Sequence, residues 1–236
     1  MWPKSTVAES LWHSARSMTN HYSVAARFDA GSWPTALPLV AILRGVEPHE
    51  AAAHADPLLE AGFDCIEVPT NSPGWADSVR TIGAVAAGRA LVGAGTVLDA
   101  GHLEMLVAAG GRMAVSPHTD TILIEDAARR GLFVLPGAMT VSEVFAAHRA
   151  GAHAVKLFPA AQLGAGYVKA LRAVLPSGLS LLAVGGVNPD NLVDFLRAGC
   201  VGAGLGGDLY RPGQSARETA ARARDFVAAW HAAQPA

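Results

Sequence analysis

From Leu37 onward two patterns alternate along the chain. Short apolar runs with strand character are each followed by a longer run containing Ala, Leu and Arg at helical spacing, which is the signature of repeated βαβ units. Strands are predicted over 37–44, 65–69, 91–95, 113–116, 133–136, 154–158, 179–184 and 201–205. The helices between them carry their own punctuation. Glu47-Pro48 opens the first helix, and Gly62 follows its end. Asn188 before Pro189 makes an N-cap with proline in the first turn, and Gly199 closes that helix. The connections are short and the strands are apolar on both faces, as in a parallel sheet covered by helices. Eight such units close on themselves more readily than they extend as an open sheet, so the predicted fold is a single α/β domain, a (β/α)8 TIM barrel. A doubly wound dinucleotide fold would need GxGxxG to open the helix after the first strand. That position reads LRGVEP, while GAGTV and GAGLGG belong to the third and eighth strands.

Residues 1–35 break the pattern: Ser, His and Arg are scattered through them without strand periodicity. They read as an N-terminal extension, either mobile or forming a short helix across the barrel floor, with the barrel itself occupying 36–236. Arg16 and Arg27 would suit an organelle-targeting leader, but Glu9, Asp29 and the lack of an amphipathic face argue against one.

Composition narrows the reading further. With 236 residues, 51% of them hydrophobic and 16% charged, the chain supports one large core. A net charge of −2 gives no pull toward nucleic acid or an anionic membrane, and no apolar run reaches spanning length. Cys65 and Cys200, the two cysteines, both fall in apolar runs, so a disulfide framework is not expected. The expected location is cytoplasmic.

Chemistry in a barrel sits at the carboxyl ends of the strands, so polar residues that interrupt apolar runs there are the candidates. Lys156 lies within AVKLFP; the other lysines are Lys4 and Lys169, the latter in a helical, solvated setting. Burial among apolar neighbours disfavours an ammonium group, lowering its pKa and freeing a nucleophilic amine for attack on a ketone. The competing reading has Lys156 pointing outward, its stem lying along a helix. Glu67, in CIEVP, is either a structural partner of Arg44 or a general acid/base near the amine, and both can hold. Arg44 and Thr96 could together grip a carboxylate. Gly185-Gly186 and GLGGD at 204–208 follow the last two strands, where backbone N–H groups commonly bind phosphate. The nine histidines form no HxxxH or HExxH spacing and no cluster with cysteine, so no metal site is expected.

Through PLVAILRG, IEVPTNSP, LVGAGTV, AVSPHT, VLPGAMT, VKLFPA, AVGGV and GAGLGGDLYRPGQS, in order between about 37 and 230, the chain resembles the 2-dehydro-3-deoxy-phosphogluconate and phosphogalactonate aldolase family. The resemblance implies a Schiff-base (class I) aldolase with Lys156 as the imine-forming lysine and Glu67 as acid/base. It further implies a carboxylate site at Arg44 and Thr96 and a phosphate site at Gly186, Gly206 and Gly207. Relatives often carry Ser at the position of Gly207, so one hydroxyl is missing here. A homotrimer and the absence of any metal or organic cofactor are also implied.

Two details bear on the substrate. Gluconate-type relatives usually place Thr directly before the glycine pair of the seventh strand, where this chain has Val184; after the second-strand Glu-Val they commonly read TLRT, where this chain has Pro69-Thr70-Asn71-Ser72. Both differences lead us to expect the galactonate-derived isomer, with the gluconate-derived one or dual specificity as the alternative. The other readings are a phosphate-binding barrel isomerase or decarboxylase, which would not need Lys156 beside Glu67, and a non-catalytic sugar-phosphate-binding barrel.

Overall fold

The computed structural model describes Phe28 and residues 33–234. Most of the predicted extension lies outside the described residues. The strands are β1 (Leu39–Ile42), β2 (Cys65–Pro69), β3 (Leu91–Gly95), β4 (Met113–Val115), β5 (Phe133–Leu135), β6 (Gly137–Ala138), β7 (Ala154–Leu157), β8 (Ser180–Val184) and β9 (Gly202–Leu205). Alternating with them are helices α1 (Ala51–Glu60), α2 (Trp75–Ala86), α3 (Ala100–Ala108), α4 (Thr121–Arg129), α5 (Val141–Arg149), α6 (Ala160–Arg172), α7 (Pro189–Ala198) and α8 (Ala216–Ala232).

All pairings are parallel, in the order β5-β4-β3-β2-β1-β9-β8-β7-β6. The ends of this sheet are consecutive along the chain: β5 falls within the predicted fifth strand (133–136), and β6 lies just beyond it, where no strand is predicted. Pro136 lacks an N–H and interrupts the ladder, so β5 pairs with β4 while β6 pairs with β7. The β7 segment also reaches back to β5 and the residue after it, with His153 N–H donating to the Val134 carbonyl (3.0 Å) and Lys156 N–H donating to that of Pro136 (2.9 Å), which closes the barrel. Nine strands thus stand where the sequence predicts eight. The first strand is also shorter than predicted, because the chain turns at Arg44 and Gly45.

Strand alternation sorts the side chains into two cores. Leu39, Ala41, Ile66, Val68, Val155, Leu157, Leu181 and Ala183 pack outward against the helices. Val40, Ile42, Cys65, Leu91, Met113, Phe133, Leu182 and Val184 fill the barrel interior. At the floor, Phe28 and Trp33 meet Phe133 edge-on at ring-centroid distances of 5.3 and 5.4 Å. Five of the eight described helices carry a side-chain cap at the N-terminus, and in three of these Thr140 with Glu143, Asn188 with Asn191 and Ser215 with Glu218 form reciprocal capping boxes. Cys65 and Cys200 are buried free thiols; burial pushes Cys65 well up and Cys200 to about 12, which leaves neither as a nucleophile at neutral pH. No described helix is long and apolar enough to cross a membrane.

Candidate active site

The period of two that sends Ile66 and Val68 outward in β2 sends Glu67 inward; in β7 the same alternation turns Lys156 inward between Val155 and Leu157. The outward-pointing reading of Lys156 is therefore excluded. Lys156 is 7% exposed and Glu67 2%. Both line one small cavity of about 10 Å3 with Val40, Ile42, Val115, Leu135, Val184 and Gly204. Across from Glu67, a Cβ at Gly95 would overlap Oε1, so the bare glycine gives the carboxyl its room. Oε2 is buried with no hydrogen-bond partner among the described residues.

Burial lowers the Lys156 pKa; the Arg44 charge pushes the same way and Glu67 pushes back. For Glu67, burial raises the pKa, while Lys156 and then Arg44 oppose it. The site therefore holds an amine biased toward its free base beside a carboxyl biased toward its acid, which is what proton exchange between them needs. The ring of Phe158, 39% exposed, stands 5.1 Å from Nζ of Lys156 at the cavity mouth.

Arg44 is exposed just beyond β1, and its Nη1 donates to Oδ1 of Asn71 (2.6 Å). Thr96, beyond β3, has φ +56, an uncommon conformation for a β-branched residue. Oγ1 of Thr70 donates to the Thr96 carbonyl at 2.6 Å, and the Gly45 N–H donates to Oγ of Ser72 at 2.8 Å. The adjacency of β1, β2 and β3 brings Arg44, Glu67 and Thr96 to one side of the mouth.

On the other side, Val184 ends β8 and is buried, and Gly185 and Gly186 follow at φ +97 and +73. After β9, Gly206 begins a tight turn in which its carbonyl accepts from the Leu209 and Tyr210 N–H groups (2.8 and 2.9 Å). The Gly207 carbonyl accepts from Arg211 Nε at 2.6 Å and from Arg222 Nη1 at 3.3 Å. Because the peptide is planar and trans, the Asp208 N–H points away from those guanidinium groups. Among the described residues no group of three His, Cys, Asp or Glu is placed to hold a metal ion.

Of the eight residues singled out from sequence, Arg44, Thr96, Gly186, Gly206 and Gly207 thus stand in the loops that follow strands, Val184 and Lys156 at or next to a carboxyl end, and Glu67 in the middle of β2. The structure adds Thr70, Asn71, Arg211 and Arg222 as hydrogen-bond partners of these residues; in the sequence Thr70 and Asn71 stand out only as a mark of substrate type, and the two arginines not at all. Thr70, Asn71 and Arg211 fall inside stretches that carry the resemblance, yet their partners are distant or across a turn; Arg222, on α8, carries no signal that separates it from a solvated arginine.

The family described as KDPG and KHG aldolase matches residues 32–222. The 2-dehydro-3-deoxy-6-phosphogalactonate aldolase of Escherichia coli (strain K12) is 48% identical over 201 residues, 85% of this chain and 98% of that protein. The KHG/KDPG aldolase of the same organism is 32% identical over 161 residues, 67% of this chain and 74% of that protein. A solved structure described as native KDPGal superposes with a TM-score of 0.84 at 48% identity, covering 86% of this chain and 98% of that one.

Proposed function

This chain belongs to the KDPG and KHG aldolase family, and from that footing we propose that it is a class I aldolase. Its reaction is cleavage of 2-dehydro-3-deoxy-6-phosphogalactonate to pyruvate and D-glyceraldehyde 3-phosphate. The observation that carries the reading is a buried lysine amine sharing one cavity with a buried carboxyl group at the carboxyl end of the barrel.

In this reading the free amine of Lys156 attacks the C2 ketone and forms a carbinolamine. Glu67 supplies the proton with which hydroxide leaves as water, giving an iminium. The iminium accepts the electron pair of the C3–C4 bond as that bond breaks. The C4 hydroxyl gives its proton to the Glu67 carboxylate left by the dehydration, and the aldehyde departs as glyceraldehyde 3-phosphate. The enamine left on Lys156 takes a proton at C3, through Glu67, and hydrolysis of the imine frees pyruvate and the amine. Arg44 and Thr96 bind the C1 carboxylate. Gly186, Gly206 and Gly207 present backbone to the phosphate, while Arg211 and Arg222 draw the turn's carbonyl edge to the opposite side. No step calls for a metal or an organic cofactor.

The gluconate-derived isomer is the second reading. It is disfavoured by Val184 and by the lower identity to the KHG/KDPG relative. Self-association as a homotrimer belongs to the same proposal: Leu98, Ile122, Met139 and Val141 are exposed just beyond neighbouring strands on one side of the mouth. Sedimentation equilibrium measures it directly. For the chemistry, borohydride with pyruvate is expected to inactivate the enzyme and leave a pyruvate-derived mass on the peptide bearing Lys156. Activity surviving that treatment, or surviving Lys156→Ala, would overturn the Schiff-base reading.

A further inference from the structure

Three consecutive residues after β2 each hold a different part of the carboxylate side of the site. Thr70 donates from Oγ1 to the Thr96 carbonyl, Asn71 accepts from the Arg44 guanidinium, and Ser72 accepts the N–H of Gly45. The contacts span 26 to 27 residues of sequence, so they tie the ends of three neighbouring strands together. We infer that Thr70, Asn71 and Ser72 are the positioning residues of the carboxylate site, fixing Arg44 and Thr96 for a 2-keto acid; this rests on the aldolase reading above.

Two features favour this over loop architecture alone. Thr96 sits at φ +56, where a threonine persists only when its surroundings hold it, and Thr70 bonds the carbonyl of that very residue. The acceptor for Arg44 is an uncharged amide. A carboxylate at position 71 would also hold the guanidinium, but would neutralise the charge that an anionic ligand needs; Asn71 orients the cation and leaves its charge available.

The test uses the full chain and two ketones of similar size, pyruvate and acetone, of which one carries the carboxylate. The second-order rate of inactivation by borohydride is measured with each. Thr70→Val removes the donor with little change of shape, and Asn71→Asp keeps the acceptor while adding a negative charge. Each variant is expected to lower the rate with pyruvate by about 5- to 30-fold, the factor that 1 to 2 kcal/mol represents. Measured at a pH above the Lys156 pKa, where the amine is already free, the rate with acetone should stay within about twofold, and Thr70→Ser should restore the pyruvate rate. Equal losses for both ketones, no loss with pyruvate, or failure of Thr70→Ser to restore it would overturn the inference. A wild-type enzyme that pyruvate and borohydride leave active would instead overturn the Schiff-base reading itself.

Discussion

A methyl group on Gly95 would occupy the place of Glu67 Oε1. The carboxyl reaches across from the neighbouring strand, where Val68 pairs with Ala94 and Pro69 with Gly95, into space that only a glycine leaves open. Gly95→Ala must therefore displace the carboxyl from its position beside Lys156. We expect kcat to fall by about 100-fold, the scale of a misplacement of about 1 Å. The Tm should drop by only about 2 to 8 °C for a cost of about 1 to 2 kcal/mol. An unchanged kcat would show that the position of Glu67 does not limit turnover.

The charges around Lys156 predict two pH shifts of opposite sign. In the proposed mechanism the free amine of Lys156 is the reacting form, so the rate of trapping with pyruvate is expected to climb as pH rises through the Lys156 pKa. Glu67 holds that pKa up, and Glu67→Gln should move the climb to lower pH. Arg44 holds it down, and Arg44→Met should move the climb to higher pH. Midpoints that move together, or stay put, would contradict this coupling.

Val184 lines the cavity with Lys156 and cannot form a hydrogen bond through its side chain. A hydroxyl there is worth about 1 to 3 kcal/mol to a substrate oxygen that reaches it. The wild type should prefer the galactonate-derived isomer in kcat/KM, and Val184→Thr should shift preference toward the gluconate-derived one. A wild type that uses the gluconate isomer equally well, or a mutant with no relative gain for it, would refute the assignment.

A chain beginning at Ser32 keeps Trp33 on the barrel floor but removes Phe28, whose ring also lies 5.6 Å from the Arg112 guanidinium. Losing a partly buried aromatic should cost about 1 to 2 kcal/mol and lower the Tm by several degrees. Turnover should persist, because the floor lies at the opposite end of the strands from Lys156. Loss of turnover at a temperature where the shortened chain remains folded would show that residues 1–31 act on the site.

The alternation of patterns by itself determined the eight βα units, and that Lys156 and Glu67 each face the side opposite their immediate strand neighbours. Which of those sides is the interior is a tertiary outcome: once Val155 and Leu157 pack on the helices, Lys156 has no other side than the barrel interior. The rest depends on which strands become neighbours. Arg44 meets Asn71 and Thr70 meets Thr96 because β1, β2 and β3 pair side by side; Glu67 has its place because Gly95 lies next door. The short strand β6 beyond Pro136 likewise appears only when the barrel closes and both β5 and β6 must find partners. Desolvation, which lowers the pKa of Lys156 and raises that of Glu67, belongs to the closed barrel rather than to any one strand: an amine in an open chain stays in water, and only the surrounding ring of strands removes it.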